Sequence, residues 1–414
     1  MEETTLANFK KHFLANSALI SFRYVAVAGI GLALSVAFAH LSTKQIFGQY
    51  QFMLSVLAML SVVSLPGLNI AALKLVAEGK SGAVSQTVRL SFLWGILAIP
   101  LLVGYGTYIL LRGSMDSTIG WVFIFFGGLF PFLNAPNTWY VHYEGRLVFL
   151  PVVIRTICAS ILMAVLLFLG LWNQWSLFSL ISIWFFVSTL TGWFFYWEVR
   201  RKELRSRREV GILDVSYGIR VSFQKFSVGL TESIPVIAIS FFLGFEAVAN
   251  FQVASVFVGA VSGLLGALTA MALPVIFSNT DEHQGTLLLY SGLSGIVASI
   301  GYAILVEILF LAIYGDQYRE SFDLARLLVF LPCLISLRMF LVNMFTARGE
   351  NVRIILVYVL ANAVAILFFL ATFGRMSFVW SVGAYLYMLN GILLLLLAGA
   401  YFLKGTTASG DNHR

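Results

Sequence analysis

The chain alternates between long apolar runs and short polar ones. Twelve of the runs are each long enough to cross a bilayer as a helix, which takes roughly 20 mostly apolar residues. They lie near residues 17–41, 48–76, 85–111, 118–142, 147–171, 176–198, 221–244, 247–277, 286–314, 324–346, 353–373 and 378–403. The second and eighth exceed the length of a span. Pro66-Gly67 and Pro274 interrupt them, so each is expected to be tilted or broken. Residues 2–16 differ in kind: Leu6, Phe9, Phe13 and Leu14 share one helical face, with Lys10 and Lys11 nearby. This pattern predicts a short amphipathic helix on the inner membrane surface. The small, polar tail 404–414 is expected to be disordered.

Composition agrees with this pattern. Charged residues make up 11% of the 414 and hydrophobic residues 60%, whereas a soluble domain carries about 25% charged residues. Mean hydropathy is +0.91. A β-barrel would alternate along each strand and stay less hydrophobic. A soluble enzyme, a disordered chain and a disulfide scaffold are excluded. The expected fold class is an all-α polytopic membrane protein of about twelve transmembrane helices. Ala37-Phe38-Ala39 resembles a signal-peptidase site, but the whole stretch from Ala18 to Leu41 suits an uncleaved first span.

Charge sets the expected orientation. With the N-terminus inside, 21 of the 26 Lys and Arg fall on the inner side, many of them between Arg200 and Lys225. The outer side receives Lys44, Arg112, Arg319, Arg326 and Arg375. Lys and Arg collect in cytoplasmic loops, so both termini are expected in the cytoplasm. The same rule accounts for the net charge of +7 without a nucleic-acid partner.

The two halves align without a gap at an offset of 201 residues. Ser21-Phe22 meets Ser222-Phe223, Gln51 meets Gln252, and Pro131 meets Pro332. Each half holds six spans, so the repeat is expected to be parallel, about an axis along the membrane normal. The expected organisation is an inner-surface helix (1–16), an N-lobe (17–198), a basic, solvated cytoplasmic linker (199–219), a C-lobe (220–403) and a tail (404–414).

Catalytic chemistry is not legible. Gly79-Lys80-Ser81 lacks the first glycine of a phosphate loop, since Lys74 stands in its place. Cys158 and Cys333 lie far apart in apolar runs, and the five His show no ligand spacing. No metal, no cofactor and no enzymatic activity are expected. The outer loops are short, which disfavours a membrane-bound glycan polymerase or ligase. A secondary transporter or flippase remains.

The outer loop ends STKQIFGQYQF and the second span ends NIAALKLVAEGK. With an early Arg in the first span, these stretches resemble the polysaccharide transporter family, the Wzx-type flippases of O-antigen and related repeat units. That family shares a superfamily (MOP) with the MATE drug exporters and the MurJ lipid II flippases. The motif-level resemblance covers about residues 17–80, with an echo at 220–260. It implies two six-helix lobes around a central cleft. The implied substrate is an undecaprenyl-pyrophosphate-linked oligosaccharide, carried across the cytoplasmic membrane by alternating access, with other glycan-assembly membrane proteins as partners. A sugar–pyrophosphate head cannot cross hydrocarbon unaided, because its charges would lose their hydration. A MATE-type exporter of cationic drugs is the alternative. It would need net negative charge in the cleft, and embedded cations outnumber embedded acids here.

An ionisable group inside a span costs on the order of 3 kcal/mol, so each one calls for an explanation. Arg23, Lys74, Lys225 and Arg338 stand on spans that line the cleft in the resembled family, which implies contact with pyrophosphate. Snorkelling to the interface is the other account for the first three; Arg338 lies too deep for it. Arg89 and Arg155 are expected to snorkel. Glu232, between Thr231 and Ser233 with Pro235 beyond, is the candidate coupling site for a proton or sodium ion, against a structural hydrogen bond or an ion pair with a nearby cation. Glu307 is expected to find a partner within its own lobe. Asn69, Asn134, Asn137 and Asn343 suit either sugar hydroxyls or helix–helix bonds.

Overall fold

A computed structural model describes the backbone of residues 2–113, 116–205, 209–278, 284–347, 350–372 and 375–408. Side chains are not described for 2–17, 267–285, 287, 347 and 402–408. The amphipathic face of residues 2–16, the side chain of Pro274 and the end of the tail therefore lie outside the described residues.

Every named element is helical, and among the described residues eleven helices are long and apolar enough to span a membrane. A twelfth candidate is bent by 66°, between Ser117–Gly128 and Phe130–Glu144. Helices suit this chain because each satisfies its backbone polar groups within its own segment. Apolar side chains cover much of the surface, among them Leu111, Val297 and Leu395, as lipid requires.

The chain divides into two compact units, residues 1–229 and 230–414. The first contains α1 (Glu2–Leu41), α2 (Lys44–Leu60), α3 (Leu68–Ala77), α4 (Ala83–Gly95), α5 (Ala98–Arg112), α6 (Ser117–Gly128), α7 (Phe130–Asn134), α8 (Val141–Glu144), α9 (Leu150–Trp172) and α10 (Leu177–Arg205). The division falls inside α11 (Val215–Leu243). The second unit continues with α12 (Phe245–Ser278), α13 (Gln284–Tyr314), α14 (Arg319–Leu327), α15 (Leu331–Ala347), α16 (Asn351–Thr372) and α17 (Phe378–Ala408). The first half of the seventh span thus belongs with the N-terminal unit.

The stretches expected to form a surface helix and a first span are one unbroken helix, α1. The second expected span is broken where Pro66-Gly67 stands. A 3₁₀ turn, Ser61–Ser64, leads into Leu65, whose φ is +53°. A leucine in the left-handed region is costly, and Pro66, which has no amide hydrogen, prevents a smooth continuation into α3. Gly67 lets α3 meet α11 backbone to backbone. Its N–H donates to Ser222 Oγ at 2.8 Å, and that hydroxyl donates to the Gly218 carbonyl at 2.8 Å.

Two structural correspondences accompany the sequence repeat. Pro131 stands at the break between α6 and α7, and Pro332 at the break between α14 and α15. Gln49 on α2 donates to Asp116 at 3.3 Å; Asn250 on α12, 201 positions later, donates to Glu320 at 3.0 Å. Asp116 caps α6. The Thr118 backbone N–H, with help from Gln49, holds its carboxyl below the usual carboxylate range.

The linker differs from the solvated loop expected of it. Glu203 accepts from the N–H groups of Val84 and Ser85 at 3.2 and 3.3 Å, at the start of α4. A carboxylate is favoured there by the helix dipole. The Ser81 N–H donates to the Glu209 carbonyl at 2.9 Å, and Gln86 Nε2 to the Gly211 carbonyl at 2.7 Å. The strip 209–213 is held against the α3–α4 turn because that turn and the start of α4 offer groups that α4 itself cannot satisfy.

Candidate functional site

The first cluster lies in unit 1. Asn69 on α3 donates to the Tyr140 hydroxyl at 3.2 Å and accepts from Thr138 Oγ1 at 2.9 Å. These bonds tie α3 to the irregular stretch 135–144, whose short turns follow from Pro131 and Pro136. One turn beyond Tyr140, Glu144 Oε1 accepts from Arg23 Nη1 on α1 at 3.1 Å. Lys225, on the unit-1 half of α11, acts electrostatically on the same carboxylate. Arg23 and Lys225 are thus brought together around Glu144. Lys74 is exposed in the last turn of α3, and its side chain has no ion pair among the described residues.

The second cluster lies in unit 2. Arg338 on α15 donates through Nη1 to Asn390 on α17 at 2.8 Å, while its buried Nε has no partner among the described residues. Glu232 is an exposed carboxylate on α11, flanked by buried Thr231 and Ser233. Both Glu232 and Arg338 act on the buried hydroxyl of Tyr358 on α16. Four helices therefore contribute to one polar group, and the coupling candidate stands beside one of the four cations.

Other expectations resolve into ordinary pairings. Arg155 binds Glu198 at 2.7 Å and lies 4.8 Å from the Tyr143 ring, so pairing within the unit replaces the free snorkelling expected of it. Glu307 has its partner within its own unit: Arg326 grips it with two bonds of 2.6 and 2.5 Å. Asn137 bonds back to the Leu133 carbonyl of its own segment at 3.2 Å, and Asn69 is spent on the link described above. Among the described residues no group of three or more His, Cys, Asp or Glu forms a metal-holding cluster.

Glu144, Tyr140, Tyr358 and Asn390 are the members that reading the sequence missed. Glu144 closes a polar-aromatic stretch, WYVHYEGR, at the end of a span where an acid looks merely solvated. Its partner Arg23 is 121 residues away, and no spacing rule links them.

No family model matches the sequence, and no curated protein matches it. Solved structures do match in fold. An inward-facing multidrug-resistance MATE family transporter of the MOP superfamily aligns with TM-score 0.67 at 12% identity, over 96% of this chain and 98% of that one. The eukaryotic MATE transporter AtDTX14 gives 0.68 at 13%, over 95% and 96%. A Vibrio cholerae MATE transporter, VcmN, gives 0.63 at 9%, over 99% of both chains. The chain has the fold of these proteins along nearly its whole length.

Proposed function

We propose that this protein is a flippase that moves an undecaprenyl-pyrophosphate-linked oligosaccharide from the inner to the outer leaflet of the cytoplasmic membrane, exposing its site to the two sides alternately. The observation that carries this reading is the charge of the unit-1 cluster. Arg23 and Lys225 face a single acid, Glu144. A site with a cation excess inside a span suits phosphate, whose oxygens form charge-assisted bonds about twice as strong as neutral ones. The stretches around residues 17–80 that resemble the Wzx-type flippases support the same substrate class, and the solved structures that share the fold are transporters.

The test uses purified protein in liposomes with a fluorescent, short-chain prenyl-pyrophosphoryl-N-acetylglucosamine. The protein is expected to speed its movement between leaflets, measured by loss of protection from an impermeant quencher. No acceleration under any proton or sodium gradient would sink the reading. The second reading, a MATE-type exporter of organic cations coupled to an ion, draws support from the fold likeness and from the exposed Glu232 carboxylate. Uptake of an organic cation in place of the lipid would establish it.

The Lys/Arg asymmetry supports a topology with both termini cytoplasmic. With Cys158 and Cys333 replaced by Ser, a cysteine at exposed Leu204 is expected to resist an impermeant thiol reagent in intact cells. A cysteine at Lys44 should react. The reverse pattern would invert the protein in the membrane.

A further inference from the structure

The cation cluster of unit 1 already holds an anion. We propose that Glu144 is an internal counter-anion for the phosphate-binding cations: an arriving pyrophosphate displaces its carboxylate from Arg23 and Lys225, and the freed group takes up a proton from the aqueous side. This rests on the flippase reading and deepens it, naming the residue that ties substrate binding to protonation.

Three observations carry the inference. The first is that the contact is loose. Arg23 reaches Glu144 through one nitrogen at 3.1 Å, whereas Arg326 grips Glu307 with two bonds of 2.6 and 2.5 Å and Arg155 meets Glu198 at 2.7 Å. A guanidinium has five N–H donors, and Arg23 spends one of them on Glu144. The rest of its fork suits two phosphate oxygens. The second is access. The side chains of Arg23 and Glu144 are 19% and 21% exposed, so the pair is neither sealed in protein nor fully solvated.

The third is the way the segment is anchored. Tyr140 is tied to Asn69 at 3.2 Å, and Tyr143 is held by Glu198 at 3.0 Å and Lys202 at 2.9 Å. These bonds hold the turn that leads into Glu144, so releasing Arg23 requires only rotation of the Glu144 side chain. The groups that face this carboxyl are Arg23 on α1, Tyr140 on its own segment and Lys225 on α11; Tyr24 lies under the Arg23 guanidinium and acts on Tyr140. Once phosphate holds the two cations, Tyr140 and a second anion remain near a mostly buried carboxylate. Loss of opposite charge and gain of like charge both favour the neutral acid. The proton comes from water on the loading side and returns to water when Arg23 and Glu144 pair again. Linkage is reciprocal, so lower pH strengthens phosphate binding.

The experiment is calorimetric titration of the full chain in lipid nanodiscs. The ligand is short-chain prenyl-pyrophosphoryl-N-acetylglucosamine, a diphosphate diester whose two phosphates stay ionised at neutral pH. Buffers of differing ionisation enthalpy report the protons exchanged. Wild type is expected to take up as much as about one proton per ligand and to bind more tightly as pH falls. Glu144→Gln should bind about tenfold more tightly at alkaline pH, with no linked proton and a flat pH profile. Glu144→Asp keeps a carboxyl and should keep the uptake, which separates the chemistry from mere packing. Ligand binding by wild type with no proton exchange, or Glu144→Gln matching wild type in affinity and uptake, would overturn the inference while leaving the substrate class standing. If wild type binds no pyrophosphate lipid, the substrate class falls and this inference falls with it.

Discussion

Gly67→Ala should leave little folded protein. A Cβ at position 67 would overlap the Gly218 carbonyl oxygen and the Ser222 amide nitrogen, and would stand 2.8 Å from Ser222 Oγ. Two of these three atoms are backbone, so no side-chain rotation relieves the overlap. The alternatives are to push α11 away from α3 or to re-break the second span, and either one breaks the Gly67–Ser222 bond. Overpacking at a well-packed contact costs typically 1–3 kcal/mol; a backbone collision should reach about 3 kcal/mol or more. The same displacement would carry Lys225 away from Glu144, so any protein that survives should bind phosphate poorly. Gly104→Ala is the control: it sits in α5 with nothing within 4 Å of an added Cβ, and helix propensity favours alanine by about 1 kcal/mol. Fluorescence-detected gel filtration and a thermal midpoint compare the two. Equal recovery and equal midpoints would show that α3 and α11 do not pack this closely.

Arg338 carries the second large effect. Arg338→Ala removes the cation of the unit-2 cluster and leaves Asn390, Tyr358 and Glu232 without it. If Arg338 meets substrate phosphate, its loss should cost about 2–3 kcal/mol, or roughly 30–150-fold in affinity. Arg338→Lys should also be impaired. An ammonium is a point charge, and it cannot keep the Asn390 bond while presenting the planar fork that a second oxygen needs. Asn390→Ala separates the two duties. It leaves the guanidinium charged but unheld, so it should weaken transport less than Arg338→Ala. Export of the surface glycan at matched protein levels is the measurement. Full complementation by both Arg338 variants would make the residue structural; a working lysine and a failing alanine would reduce its role to charge alone.

The neighbourhood of Glu232 and Arg338 alters what each can do. Read along the chain they are 106 positions apart, one a coupling candidate and the other a phosphate candidate. In unit 2 they act on one tyrosine. Glu144 and Arg23 repeat this arrangement in unit 1 with different helices. Both clusters are mixtures of charge, each pairing a carboxylate with cations that the sequence leaves unpartnered.

What the sequence determines by itself is the number and placement of the spans. In hydrocarbon each helix must satisfy its own backbone, so a span is a local property, and runs of apolar residues mark it directly. The break at Pro66-Gly67 is local too, since one ring and one missing side chain bring it about. The repeat is legible because equal spacing survives in the order of residues, and the bonds of Gln49 and Asn250 fall at the same offset. The partner of each embedded charge is not local. Whether Arg23 meets Glu144, and whether Arg338 meets Asn390 with Tyr358 and Glu232 alongside, depends on how each helix is rotated about its axis and which neighbour it packs against. Those choices are made by contacts between residues tens to hundreds of positions apart, and no period along the chain records them. The linker is the same case. Its basic residues mark a stretch outside the lipid, but only the fold brings Ser81 and Gln86 within bonding distance of the strip 209–213. Composition therefore sets the solvent, hydropathy sets the spans, and tertiary packing alone decides which charges remain for a substrate.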